Sequence, residues 1–213
     1  MKRNQSGFTL VEIAIVLVII GLLLGGVMKG QELIDSTRAK SIYNDMRGIQ
    51  TAINSYVDRY RGLPGDSTVN TMTTYGWAAN YGASGNNDGL ITVGVANTFT
   101  TPATAEGAGF WQSLRTANFL TGDPTSAALP TIATGGLMGV TNGAFGMAGN
   151  AVCVQGVPPK IYGMIERQYD DGAPNTGLIR GVSGATAQPV GTTPSTGAIS
   201  ETAAVVWTLC MKL

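Results

Sequence analysis

GFTLVE, residues 7–12, opens an almost uncharged apolar run that continues as FTLVEIAIVLVIIGLLLGGVM from Phe8 to Met28. As a helix rising about 1.5 Å per residue, that run spans about 31 Å, close to the hydrocarbon thickness of a bilayer. Glu12 is its lone ionisable side chain. A carboxylate near the middle of a bilayer costs roughly 2.5–3.5 kcal/mol on insertion scales, so this one calls for a partner. Lys2 and Arg3 stand ahead of the run, and charges of both signs follow it. The positive-inside rule therefore puts the short N-terminus in the cytoplasm and the remainder outside. A cleaved secretory signal fits less well. The run is longer than an ordinary signal core, and no small-x-small site follows it cleanly.

No proline interrupts the chain from Val27 to Tyr60. Ile42, Met46, Ile49, Ile53, Val57 and Tyr60 recur at spacings of three and four, which is one stripe of an amphipathic helix. Ile34, Tyr43 and Tyr56 widen it, and LPGD at residues 63–66 ends it with a proline and a turn glycine. The expectation is a single helix over about residues 8–60, near 80 Å long. Its 8–28 half is apolar all round, as a membrane or filament-core segment should be. Its 29–61 half has one apolar face, suited to packing against a head formed by residues 62–213.

The N-terminus resembles that of type IV pilins and type II secretion pseudopilins. In that superfamily a short basic leader ends in Gly, a hydrophobic residue (usually Phe) follows, and a TLxE run leads into a long apolar helix. KRNQSG followed by FTLVE matches this pattern position by position. The resemblance implies that residues 1–7 are a leader, that a prepilin peptidase cuts between Gly7 and Phe8, and that the new amine of Phe8 is methylated. Gly7 lacks a Cβ, so a protease site can approach its backbone closely. Cleavage places a cation at Phe8, about one helical turn from Glu12. In the superfamily this glutamate pairs with the Phe8 amine of a neighbouring subunit, and because an unpaired buried charge is expensive, the pair rewards correct register. The implied fold is α+β and pilin-like, with an antiparallel sheet of about four strands against the second half of the long helix. The implied partners are further copies or related pilins, the prepilin peptidase, an assembly ATPase and an inner-membrane platform protein. The implied location is the bacterial inner membrane, head in the periplasm, and then a filament. The other reading, from a different class, is a single-pass membrane-anchored surface binding module that does not polymerise.

The chain has 213 residues, 13 basic and 13 acidic, with no histidine. Zero net charge gives no field that favours nucleic acid. The missing histidine removes the commonest general base and metal ligand, so a structural protein is expected rather than an enzyme. Beyond residue 62 the chain is rich in Gly, Thr, Ser, Ala and Asn, yet aromatic residues recur often enough to build a core. A short helix is expected within AEGAGFWQSLRTANFL, residues 105–120. Short strands are expected at Leu90–Val95, Leu137–Val140, Ala151–Val154, Lys160–Ile165, Leu178–Val182 and Ala203–Leu209. Cys153 and Cys210 match no metal-ligand spacing. In an exported head they can form a disulfide closing a loop of about 58 residues, worth about 4 kcal/mol by chain entropy. Two buried free thiols are the alternative. With the resemblance, the pair is similar to the disulfide-bounded C-terminal region of pilins.

Two oxygen-rich turns, GASGNNDGLI with Asn86 and Asp88 and RQYDDGAPN with Asp170 and Asp171, are candidate calcium loops. Some secretion pseudopilins bind calcium in a comparable loop. Neither stretch has the spacing of a calcium loop of known type, and turns built on Asx side chains are commoner than ion sites. The reading requires no cofactor.

Overall fold

The structure is a computed structural model that describes residues 9–68, 73–77, 85–100, 106–187 and 189–213. The chain divides into two compact units, Met1–Thr37 and Arg38–Leu213. Helix α1, Leu10–Tyr60, runs through the division and is the one described helix long and apolar enough to cross a membrane.

In the second unit α1 buries Ala39, Ile42, Met46, Ile49, Ala52, Ile53 and Tyr56, and Val57 and Tyr60 pack on the margin of the same core. The stripe expected from the sequence is thus the buried face, except Ile34, which lies in the first unit and is exposed. Tyr43 stacks flat on Tyr169 with ring centroids 3.8 Å apart. The helix stops one residue before GLPGD, where Arg61 turns into the left-handed region and donates its N–H to Val57 O at 2.8 Å. That left-handed residue caps the last turn, and Pro64 lies beyond it.

The remaining elements are helix α2 (Glu106–Thr116), strand β1 (Met138–Asn142), strand β2 (Asn150–Val157), helix α3 (Pro159–Tyr169), strand β3 (Ile179–Gly184) and strand β4 (Val206–Lys212). The four strands form one antiparallel sheet in the order β1-β2-β4-β3. The architecture is therefore α+β and pilin-like, a long N-terminal helix with a small four-stranded antiparallel sheet. Alternation along the strands supplies two cores, because successive side chains point to opposite faces. Met138, Val140, Val152, Val154, Trp207, Leu209 and Met211 join the α1 core together with Phe110, Trp111 and Leu114 of α2. Ala151, Cys153 and Cys210 point the other way, into a smaller cluster with Phe145, Met147 and Val190. α2 ends in a turn around left-handed Asn118, which lets Phe119 and Leu120 both donate to Leu114 O.

Two expected strands are corrected. Lys160–Ile165 lies inside α3. Pro158 and Pro159 suit a helix start, since a first-turn N–H has no partner to lose, and Ile161, Tyr162 and Ile165 fall on one helical face. The apolar run was too short for its periodicity to separate helix from strand. Leu90–Val95 forms no strand and leads into a 3-10 turn at Val95–Asn97. Side chains there replace a ladder. The Ile91 N–H donates to Asn150 Oδ1 (2.8 Å), the Thr92 N–H donates to Glu106 Oε2, and the Thr141 hydroxyl donates to Val93 O (2.7 Å). The strand expected at Ala203–Leu209 begins later, as β4 at Val206.

Candidate functional site

Gly7 and Phe8, the expected cleavage and methylation positions, lie outside the described residues. Glu12 is described, and it is engaged. Its Oε2 accepts from the Thr9 backbone N–H at 2.8 Å and from the Thr9 hydroxyl at 2.7 Å, while the Glu12 N–H donates to Thr9 Oγ1 at 3.3 Å. This reciprocal arrangement is a capping box, which satisfies otherwise orphaned donors at a helix start. In a single chain, Glu12 thus closes the first turn of α1. Thr9 was missed as a participant, although the T-x-x-E spacing of TLVE is the written signal of such a cap. Around Glu12 the first unit exposes Leu10, Val11, Ile13, Ile15, Val16 and Leu17 among others, on all sides of the helix. A helix apolar all round is suited to lipid or to the packed interior of an assembly.

Asn86 and Asp88 form a self-contained turn. The Asn86 side-chain amide donates to Asp88 Oδ2 at 2.8 Å, and the Asp88 and Leu90 N–H groups return to Asn86 Oδ1 and Asp88 Oδ1. Asp66, almost fully buried, holds the turn from outside by accepting the N–H groups of Asn87 (2.7 Å), Asp88 (3.3 Å) and Gly89 (2.8 Å). The Asp of LPGD therefore anchors a loop more than twenty positions later, a role no local pattern displays. Asp66→Asn replaces one accepting oxygen with a donor that faces other donors. We expect it to cost about 1–3 kcal/mol. Hydrogen exchange at residues 87–89 should accelerate with it, and unchanged exchange would contradict the anchoring role.

Asp170 and Asp171 follow α3 and organise the next turn. The two Asp170 oxygens accept the N–H groups of Leu178 (3.2 Å) and Ile179 (2.7 Å), which sets the start of β3. Gly177, with φ of +72°, leaves room for this, since a Cβ there would lie 2.2 Å from Asp170 Oδ2. Asp171 accepts from the Ala173 N–H (3.0 Å) and the Thr176 hydroxyl (2.5 Å). These bonds hold the Asp171 carboxyl below its ordinary range. One acidic residue that the sequence reading passed over joins them. Glu166 is fully buried, neither of its carboxylate oxygens has a hydrogen-bond partner, and burial pushes its pKa up to about 8. One carboxylate oxygen from each of Glu166, Asp170 and Asp171 lies within 4.8 Å of the others. The available signal was position: Glu166 lies four residues after Tyr162, on the apolar face of α3. Asn86 and Asp88 do not enter this group.

Cys153 and Cys210 stand directly opposite each other on β2 and β4, the two central strands, and are joined in a disulfide. The residues nearer the N-terminus are matched by a family model. Residues 2–28 carry the prokaryotic N-terminal methylation motif, the cleavage signal of type IV pilins and pseudopilins. No curated protein matches the chain.

Proposed function

We propose that the chain is a structural subunit of a type IV pilus or a type II secretion pseudopilus, and not an enzyme. The methylation motif over residues 2–28 carries this reading, and it supports processing by a prepilin peptidase. In the reading, cleavage between Gly7 and Phe8 removes Lys2 and Arg3, so no basic anchor remains ahead of the apolar segment. The helix then moves from the inner membrane into a filament with the heads outward, driven by the assembly ATPase on its platform protein. The exposed apolar surface of Leu10–Met28 becomes the packed core of that filament. Glu12 leaves its bond to Thr9 for the Phe8 amine of a neighbour, an exchange favoured where lipid or packed side chains exclude water.

The mass of the N-terminal peptide from native membranes tests the processing. It should lack residues 1–7 and carry one added methyl on Phe8. A peptide beginning at Met1 contradicts the reading. Assembly is tested by Glu12→Gln. A glutamine still completes a capping box but carries no charge, so the variant separates the two roles of Glu12. It should be inserted and folded yet excluded from filaments by at least about tenfold, the factor that 1.4 kcal/mol of lost pairing supplies. Normal incorporation would leave the membrane-anchored, non-polymerising module as the better description.

A further inference from the structure

Leu178 is the most exposed large apolar side chain of the described Arg38–Leu213 unit, at 62%. Its backbone is fixed on both sides. The Leu178 N–H donates to Asp170 Oδ1 (3.2 Å), and its carbonyl accepts the Lys212 N–H (2.9 Å), so the side chain projects from a rigid base. A single exposed leucine is ordinary on a protein surface. This one adjoins an apolar hole. A cavity of about 380 Å³ opens between α1, α2 and the end of β4, walled by Ile53, Val57, Leu63, Ile91 and Phe110. Side-chain bonds keep the 89–91 segment from collapsing onto α1. Asn150 accepts the Ile91 N–H and donates to Gly89 O, and Asp66 accepts the Gly89 N–H. Apolar walls hold water poorly, and a cavity of this size suits an apolar group.

Lys212 belongs to both features, since its backbone holds Leu178 and the residue also lines the cavity. Knob and hole therefore share one surface patch. Two charges stand on it. Lys212 is exposed, and so is Asp171, in the turn just before Leu178, where the Thr176 hydroxyl and the Ala173 N–H keep its carboxylate ionised. Among the described residues neither forms an ion pair. A patch with a knob, a hole, an acid and a base is complementary to a second copy of itself turned by half a revolution.

We propose that this patch pairs two copies of the chain about a two-fold axis, each placing its Leu178 in the other's cavity and its Asp171 beside the other's Lys212. A contact of this kind closes on two copies, whereas a filament grows by contacts that repeat in one direction. The pair therefore belongs to the unassembled membrane pool and parts before a subunit is added, an order of events that rests on the filament reading above. Confinement to one membrane keeps the effective concentration high, so a small contact is enough. The opposite charges fix its register and disfavour wrong partners.

The test is disulfide trapping of the full-length chain in native membranes. One copy carries Leu178→Cys, and a co-produced copy of different size carries Leu90→Cys, at a residue that lines the cavity and is 37% exposed. Cys153 and Cys210 are already joined and do not compete. Mild oxidation should give the mixed dimer at least about tenfold above a control with Thr125→Cys, an exposed position outside the cavity wall, in place of Leu90→Cys. Lys212→Glu in both copies should cut the yield by about tenfold, because like charges then meet twice, and adding Asp171→Asn should win part of it back. In Glu12→Gln membranes, where the filament reading expects no assembly, the mixed dimer should persist. Its disappearance there would place the contact in the filament and overturn the proposal. A yield no higher than the Thr125→Cys control overturns it as well, as does an undiminished yield with Lys212→Glu. Failed trapping beside normal filaments removes the pair alone and leaves the filament reading standing.

Discussion

Replacing both cysteines with alanine should lower the stability of the Arg38–Leu213 unit by about 4 kcal/mol, the chain-entropy value for a loop of this size. The bond joins residues separated by 57 positions. The two residues face each other across the central pair of strands, so the folded sheet holds them together with or without the bond. What the bond changes is the unfolded chain, which otherwise gains the freedom of the whole β2-to-β4 loop. A loss of this size lowers the midpoint of a unit this large by about 8–16 °C. Single replacement by serine should cost more, because it also puts a hydroxyl among Ala151, Phe145 and Val190 in a fully buried cluster. Denaturant unfolding of parent, double-alanine and reduced chains measures the difference. A double-alanine loss below about 1 kcal/mol would show that loop closure contributes little here.

The second large effect is a pH dependence centred on Glu166. Burial above all raises its pKa from an ordinary 4.5 to about 8, opposed next by the neighbouring Tyr162 hydroxyl and assisted to a lesser degree by the charges of Asp170 and Asp171. Between those values the folded chain holds a proton that the unfolded chain has released. Stability therefore falls as pH rises. The contribution is fully present below about pH 4.5 and is lost as pH passes through about 8. At 1.36 kcal/mol per unit of displacement, the loss amounts to as much as about 5 kcal/mol. With chelator present, the parent should lose stability against Glu166→Gln from pH 5 upward, and the variant should be the more stable of the two at pH 8.5. Parallel pH profiles for the two proteins would show that Glu166 is solvated and ordinary.

These two predictions differ in how far the sequence announced them. The cysteine pair and its loop length could be read directly, and an oxidising compartment was enough to suggest the bond. Glu166 could not be found that way, because the Lys160–Ile165 segment read as a strand, and in a strand alternation would have turned position 166 elsewhere. Once α3 forms from Pro159, Glu166 shares the buried helical face with Ile161, Tyr162 and Ile165, whereas strand alternation would set it opposite Ile165. Helix period, not composition, made the acidic group.

Glu12 shows the opposite balance. Its importance was plain in a lone charge within an apolar run, yet its partner in the single chain was overlooked although Thr9 stood three residues before it. Asp66 is the intermediate case. LPGD marked the end of the long helix, but the loop it anchors starts beyond Gly85, and nothing in four residues of sequence specifies a bond to Asn87.

The sequence by itself determined the long helix, its fully apolar first half, its one-sided second half and the processing signal. Each is a local pattern of hydrophobic period or residue spacing, set by neighbours within a turn or two. Tertiary structure alone decided the strand order β1-β2-β4-β3, the two-sided core, the anchoring role of Asp66 and the meeting of Glu166 with Asp170 and Asp171. Those depend on burial and on contacts between distant segments, where the cost of stranding a polar group, or the gain from pairing it, exists only after the chain has closed around it.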